Sequence, residues 1–384
     1  MDQTISVLSN ENITQLRRLK EVLEEHSYKP ETLKDIDTSI SWLPSTLYKL
    51  KEDTPQNILI RLFFIGKTAS EFEIEKIFNS DERCAFINLG ILEKIGSEKL
   101  RASIKLFPYK DYILFCDFND QGGKIEPIYE PGYDSLNLEE MGISQPFNCA
   151  LDLCTGSGIQ AFRAAINCKS VIATDINPRV IHWLSKSLAL NGINNIEGRL
   201  GDLYEGVKKN SFDYITANPP FVINWKTSQR YRDGGKYGDD LLTRILNGLP
   251  DYWNDGGYAQ IATFLHEFKA RSQLDEIREF AKSHQLETLL LKSPSWDRFE
   301  LATTQHAGEA GNYEAYEEAI FAYLDYLDRV GMISYCLAVI TFRNIGKYGM
   351  KELFGLPRVS FKTASSVSFK KDFQKLVKDF FNFQ

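Results

Sequence analysis

The stretch LDLCTGSGIQAF, residues 151–162, changes character at its centre. Leu151, Asp152 and Leu153 belong to an apolar run that reads as a strand over 148–154, and Gly156 and Gly158 then open a helix over 157–167. Glycines at such a turn let a ligand come close to the backbone, with helix N–H groups directed at it. Gly156, Gly158 and Ala161 fit the dinucleotide pattern Gly-x-Gly-x-x-Gly/Ala, and Asp175 ends the next strand, where a ribose hydroxyl would be read. An NAD(P)-binding oxidoreductase is therefore one reading of the turn. Asp152 speaks against it, because a carboxylate beside the loop suits a ligand with a cationic end better than an anionic pyrophosphate.

Outward from this turn, strands and helices alternate. A strand over 170–175 leads to a helix over 177–191, with Asn177 as N-cap, Pro178 in the first turn and Asn191-Gly192 at the end. Strands near 196–200, 212–217 and 258–264 and a helix over 239–253 predict a parallel sheet with crossover helices. LETLLLKS (286–293), a helix over 313–329 and the β run MISYCLAVITFR (332–343) close that sheet.

The strand FDYITANPPF, residues 212–221, ends on an amide followed by two prolines and an aromatic. Taken with LDLCTGSG, ATDIN and the Gly201-Asp202 pair, in this order and spacing, it resembles the class I S-adenosylmethionine-dependent methyltransferases, in the branch carrying Asn-Pro-Pro-Phe/Tyr. That branch methylates amino groups of adenine and guanine bases and the glutamine amide of release factors. The resemblance covers about residues 126–343 and implies a Rossmann-like, seven-stranded α/β sheet with S-adenosyl-L-methionine as cofactor and S-adenosyl-L-homocysteine as product. It further implies that Asp152 faces the methionine end, that Thr155, Gly156 and Gly158 make room for it, and that Asp175 accepts the ribose hydroxyls. Ile176 would pack on adenine, with Asp202 and Leu203 at its edge. Asn218 and the Pro219 carbonyl would accept both hydrogens of a target NH2, with Phe221 stacked on its planar group. Some members of the superfamily carry Asp at the position of Asn218, which implies that Asn218→Asp keeps part of the activity.

The physical reason for such a turn is that an amide or exocyclic amine nitrogen is a poor nucleophile, its lone pair being delocalised. Two fixed neutral acceptors orient the nitrogen and favour positive charge building on it, while the prolines stop the loop from swinging away. The loop VINWKTSQRYRDGGKYGDD (222–240) could grip a substrate through Pro220 just before it and Trp225, Tyr231 and Tyr237 within it; a plain surface loop is an equal alternative. A second insertion, 293–318, could line the same mouth.

The front of the chain reads as helix, helix, helix and a two-stranded wing over 99–118, a smaller, mainly helical, winged-helix-like domain over 1–125. One helix opens at Thr68–Glu71 with a capping-box pattern. Glycines and prolines over 121–147 read as the connection to a methyltransferase domain over 126–350. A basic tail over 351–384 follows, with seven Lys/Arg against three acids, either touching RNA or docking as a helix.

Composition bounds the remainder. With 384 residues, 43% hydrophobic and a net charge of -7, the chain can bury a large core and has no global basic field for non-specific nucleic-acid binding. Six scattered cysteines without Cys-x-x-Cys spacing and five histidines without ligand spacing argue against a metal and for a reducing, cytoplasmic setting. No apolar run long enough for a membrane span occurs. The expectation is an amino-methyltransferase acting on a nucleic acid or a protein. The alternative is a methyltransferase for a small metabolite or biosynthetic peptide, and the remote one an NAD(P)-binding oxidoreductase.

Overall fold

A computed structural model describes residues 8–34, 36, 42–118, 126–225, 232–306, 313–356 and 367–381, with backbone only for 306 and 367–371. Numbering only the strands of the central sheet, they are β1 (Phe147–Leu153), β2 (Cys168–Asp175), β3 (Ile196–Leu200) and β4 (Phe212–Ala217). The later four are β5 (Trp253–Phe268), β6 (Leu286–Lys292), β7 (Met332–Asn344) and β8 (Gly349–Phe354). The spatial order is 3-2-1-4-5-7-6, with β8 added beside β6 as an extra edge strand. β1 to β5 pair in parallel, and β7 runs antiparallel between β5 and β6. The apolar runs of β1, β4 and β5 are explained by burial on both faces, the usual state of parallel strands under helices.

Local chemistry sets the crossovers. The helix Pro178–Asn191 is capped by the Asn177 side chain, whose Oδ1 accepts the Arg179 N–H at 2.9 Å, and it stops at Gly192 with φ +68. Because β2 lies on one side of β1 and β4 on the other, the chain leaves β1 and β4 in different directions. A crevice opens at their carboxyl ends, where ligands bind in sheets of this type.

Several expected boundaries move. Residues 99–118 form parts of two hairpins rather than one wing. Leu92–Ile95 pairs with Lys99–Ala102, and Lys105–Tyr109 pairs with Tyr112–Cys116. The turn of the first is at Gly96, with φ +68. Pro108 is tolerated because it lies in an isolated two-stranded ribbon with a free edge. The capping box sits two residues later than expected, Ser70 and Glu73 exchanging bonds across the first turn of Glu71–Ile74. The Gly/Pro-rich connection over 121–147 contains a buried helix, Tyr133–Glu140, whose polar sequence hid it from any apolar periodicity. Helices at Gln273–Ser283 and Arg298–His306 were not anticipated, and the boundary expected at 350 falls inside β8.

The front of the chain shares one core with a face of the sheet. Leu16, Phe63 and Phe107 belong to the same buried cluster as Ala150, Phe162 and Val339. Phe115 meets Trp183 edge-on at 5.4 Å, and Lys186 Nζ donates to the Leu89 carbonyl at 2.5 Å. At the other end the helix Val367–Phe381 docks on the body. Phe373, Val377 and Phe381 are buried, and Gln374 Nε2 donates to the Gly142 carbonyl at 2.8 Å. Val377→Asp would force a carboxylate into that contact. It should lower the unfolding free energy by about 3 kcal/mol, read from urea denaturation; wild-type stability would mean that the helix does not need its buried face.

Candidate active site

A cavity of about 1020 Å³ lies at the carboxyl ends of β1 and β4. That is at the upper end of the roughly 300–1,000 Å³ usual for ligand pockets, enough for a cofactor and a substrate group together. Thr155, Gly156, Asp175, Ile176, Asp202 and Leu203 line one part, and Asn218, Pro219, Pro220 and Phe221 another. The motifs separated in sequence therefore meet.

The end of β2 is organised by Asp175. Its Oδ2 accepts the Gly156 N–H at 3.0 Å and its Oδ1 the Asn177 N–H at 2.9 Å, so the carboxylate is fixed at the end of β2 and ties down the glycine loop. Burial raises its pKa, with those backbone bonds opposing. Each oxygen keeps acceptor capacity for a hydroxyl. A Cβ on Gly156 would meet only the Cys154 carbonyl, at 4.0 Å, so its φ of +52 and the space beside it leave the backbone open to a ligand. Ile176 is exposed at the wall, and Asp202 Oδ2 is held by Arg244 Nη2 at 2.9 Å.

Two expected cofactor residues sit elsewhere. Asp152 is 1% exposed and lies behind the wall rather than on it. Its oxygens accept the hydroxyls of Thr155 at 2.6 Å and Thr216 at 2.9 Å, which turn the carboxylate inward and hold the loop from beneath. Gly158 also lies off the wall. Its glycine is required by φ +85 and by Leu184 Cδ1, which a Cβ would approach to 2.7 Å.

At the end of β4, Asn218 is gripped by one end. Its Nδ2 donates to Asp134 Oδ2 at 2.7 Å and to Ser135 Oγ at 2.8 Å. Its Oδ1 is buried and meets no hydrogen-bond donor among the described residues. Asp134 and Ser135 come from the unanticipated helix Tyr133–Glu140, in the stretch GYDS at 132–135, where no apolar periodicity marks them. Burial raises the Asp134 pKa while the bond from Asn218 lowers it. Phe221 packs on Phe264 at 4.3 Å between centroids, and Phe264 on Tyr335 at 4.9 Å. Trp296 stands 5.4 Å from Tyr335, completing an aromatic part of the wall that sequence reasoning missed. Glu300 and Gln305 of the helix Arg298–His306 also face the cavity, as the second insertion was expected to do.

Of the residues expected to grip substrate, Pro220 is on the wall. Trp225 packs towards Tyr323 at 6.0 Å and Tyr237 edge-on to Phe268 at 5.2 Å, both away from the cavity. Their rings are spent on packing. Tyr231 lies outside the described residues. Among those described, no helix is long and apolar enough to cross a membrane, and no group of side chains could hold a metal ion.

Burial lifts the Asp152 carboxyl to about 7. Since the unfolded value is about 3.9, the protonated folded form is favoured. The stability this group contributes is full below about pH 4 and lost as pH rises through about 7. Asp152→Asn removes the titration, so the variant should melt above the wild type at about pH 8, the gap closing towards about pH 4. At 1.36 kcal/mol per unit the ceiling is about 4 kcal/mol. A gap unchanged over that range would show that Asp152 is not buried as an ionisable group.

Residues 137–234 match the family described as methyltransferase small domain. The chain is 32% identical over 149 residues to a protein of Methanocaldococcus jannaschii provisionally named a protein N5-glutamine methyltransferase, covering 36% of this chain and 73% of that one. It is 33% identical over 121 residues to the ribosomal protein uL3 glutamine methyltransferase of Bordetella pertussis, 28% of this chain and 41% of that one. It is 37% identical over 128 residues to the release factor glutamine methyltransferase of Thermodesulfovibrio yellowstonii, 30% of this chain and 46% of that one. The chain thus spans less than half the length of the latter two. The kinship with the first, over most of its length and on a sheet of this order, decides the family: the chain belongs to the class I S-adenosylmethionine-dependent methyltransferases, in their amino-methyltransferase branch.

Proposed function

We propose that this methyltransferase acts on a primary amide of a protein, a glutamine side chain of the kind its relatives are named for. The observation that carries the reading is Asn218 Oδ1, an acceptor buried in the cavity wall and unpaired among the described residues. A target NH2 donates the hydrogen it lacks. The charge of the wall favours a protein over a nucleic acid. Among the described residues it holds the carboxylates of Glu126, Asp134, Asp175, Asp202, Asp233, Asp240 and Glu300 against the guanidinium groups of Arg232 and Arg244. Such a wall repels phosphates and accepts neutral or cationic groups.

When bound, S-adenosylmethionine supplies an electrophilic methyl: the S–CH3 bond breaks with its electron pair left on sulfur, an N–CH3 bond forms, and the nitrogen sheds a proton to water. The protein's part is placement. Asp175 takes the ribose hydroxyls, Ile176 packs on adenine, and Asp202 with Leu203 reads its edge. Thr155 and Gly156 shape the loop, with Asp152 and Gly158 supporting it from behind. Asn218 Oδ1 and the Pro219 carbonyl take the two target N–H bonds, and Phe221 covers the amide plane. We read residues 1–125 as the winged-helix-like unit, the residues from 126 to the end of β8 at 354 as the catalytic unit and those after it as the tail, in the cytoplasm where translation proteins are made. The order helix, strand, helix, helix, hairpin over 55–102 supports the first of these.

The test is tritiated methyl transfer from S-adenosylmethionine into a cell extract fractionated into protein, RNA and small molecules. Label should enter protein and leave as volatile methylamine on alkaline hydrolysis; label confined to RNA or to small molecules would overturn the reading. Asn218→Ala should lower kcat about a hundredfold, or about 3 kcal/mol, with cofactor affinity unchanged. Asp175→Ala should instead weaken cofactor binding by about tenfold or more, in calorimetry, and leave kcat at saturation nearly intact, since ribose contacts are alike before and during transfer. A collapsed kcat with intact affinity would remove Asp175 from the ribose site.

A further inference from the structure

We infer that Asp134 is a positioning residue that decides which end of the Asn218 amide faces the target nitrogen, an inference resting on the amide-methylation reading above. An asparagine amide has nearly the same shape with oxygen and nitrogen exchanged, so its orientation is set by hydrogen bonds. A carboxylate offers no donor, and only the NH2 end of Asn218 can face Asp134. The two bonds at 2.7 and 2.8 Å, to Asp134 and Ser135, occupy both amide hydrogens. What remains for the cavity is the oxygen.

A flipped Asn218 would set its oxygen against the Asp134 carboxylate and present N–H groups to a target that also presents N–H groups. Both contacts would be repulsive. Asp134 therefore makes the turn selective for a donor, which an NH2 is and a carbonyl or carboxylate is not. The carboxylate is itself held in place. It sits in the first turn of Tyr133–Glu140, and that helix is pinned by Gln160 Nε2 to the Ser135 carbonyl at 2.7 Å and by Arg163 Nε to the Glu139 carbonyl at 3.2 Å.

The same geometry leads to a different prediction for Asn218→Asp than the family resemblance implies. In this chain that change puts a second carboxylate 2.7 Å from Asp134. The reciprocal exchange restores the pairing, because Asp134→Asn supplies a donor to the new carboxylate and position 218 again turns an oxygen to the cavity.

The test compares four full-length proteins: wild type, Asp134→Asn, Asn218→Asp and the double exchange. The probe is the rate of tritiated methyl transfer into the protein fraction of a cell extract at saturating S-adenosylmethionine. Asp134→Asn should lose about tenfold to a hundredfold, and Asn218→Asp more than about a hundredfold, each with cofactor affinity within about threefold of wild type. The double exchange should recover about tenfold or more over Asn218→Asp. A wild-type rate in Asp134→Asn, or a double exchange no faster than Asn218→Asp, would overturn the role. A second readout needs no substrate: with 15N-asparagine labelling, the Asn218 side-chain NH2 signals, assigned by their loss in Asn218→Ala, should shift on Asp134→Asn. Unmoved signals would overturn the contact. If wild type labels no protein at all, the amide reading fails, and the NH2 signals still decide Asp134.

Discussion

Asn218 Oδ1 is buried at the end of β4 and meets no hydrogen-bond donor among the described residues, an arrangement that in a protein interior costs about 1–3 kcal/mol until a partner arrives. Keeping it there takes support from several elements. The two prolines fix the backbone, and Asp134 and Ser135 take the other end of the amide. Their helix, Tyr133–Glu140, buries five polar or charged side chains, an arrangement that survives only if each finds a partner. The hairpin Lys105–Cys116 supplies two of those partners. Tyr109 Oη donates to Glu139 Oε2 at 2.7 Å and to Glu140 Oε1 at 3.1 Å, and Lys110 Nζ pairs with both carboxylates. The front of the chain is thereby tied, through this line of hydrogen bonds, to the helix that holds Asn218.

That line explains why the site was only half legible. Gly156, Asp175, Asp202 and Asn218 lie in short motifs whose spacing is dictated by the ends of parallel strands, and the sheet brings them to one cavity. Asp134 and Ser135 lie in no such frame. Their helix has no apolar stripe, because Asp134, Ser135, Glu139 and Glu140 are buried by hydrogen bonding and only Leu136 and Leu138 by apolar packing. Periodicity detects the second kind of burial and is blind to the first.

The errors have the same origin. A carboxylate next to a glycine loop can point at the ligand or beneath it, and the choice for Asp152 was made by two threonine hydroxyls, one of them on the neighbouring strand. Trp225 and Tyr237 looked like substrate-gripping aromatics and became partners for Tyr323 and Phe268. Trp296 and Tyr335, which do reach the cavity, come from an insertion and from β7, a strand buried along most of its length. For an aromatic side chain the identity of the residue says little about which of two faces it serves; the register of the strand decides it.

The surplus of carboxylates raises a question about where rate acceleration arises. At an effective dielectric constant of about 20, a unit charge 8 Å away contributes about 2 kcal/mol, so an acidic wall binds a positively charged cofactor better than its neutral product. That preference aids exchange of product for cofactor. It does little for transfer itself, in which positive charge moves from sulfur to nitrogen within one wall and every distant carboxylate sees nearly the same total. Discrimination between those two moments needs groups so close to the nitrogen that they feel the charge only after it has moved. Asn218 and Pro219 line the cavity, and the amide oxygens they carry are neutral. Their dipoles can be strong at contact and weak a few ångströms away, the distance dependence that binding charges lack. On the proposed reading, the carboxylates serve binding and the uncharged acceptors at the end of β4 serve the chemistry.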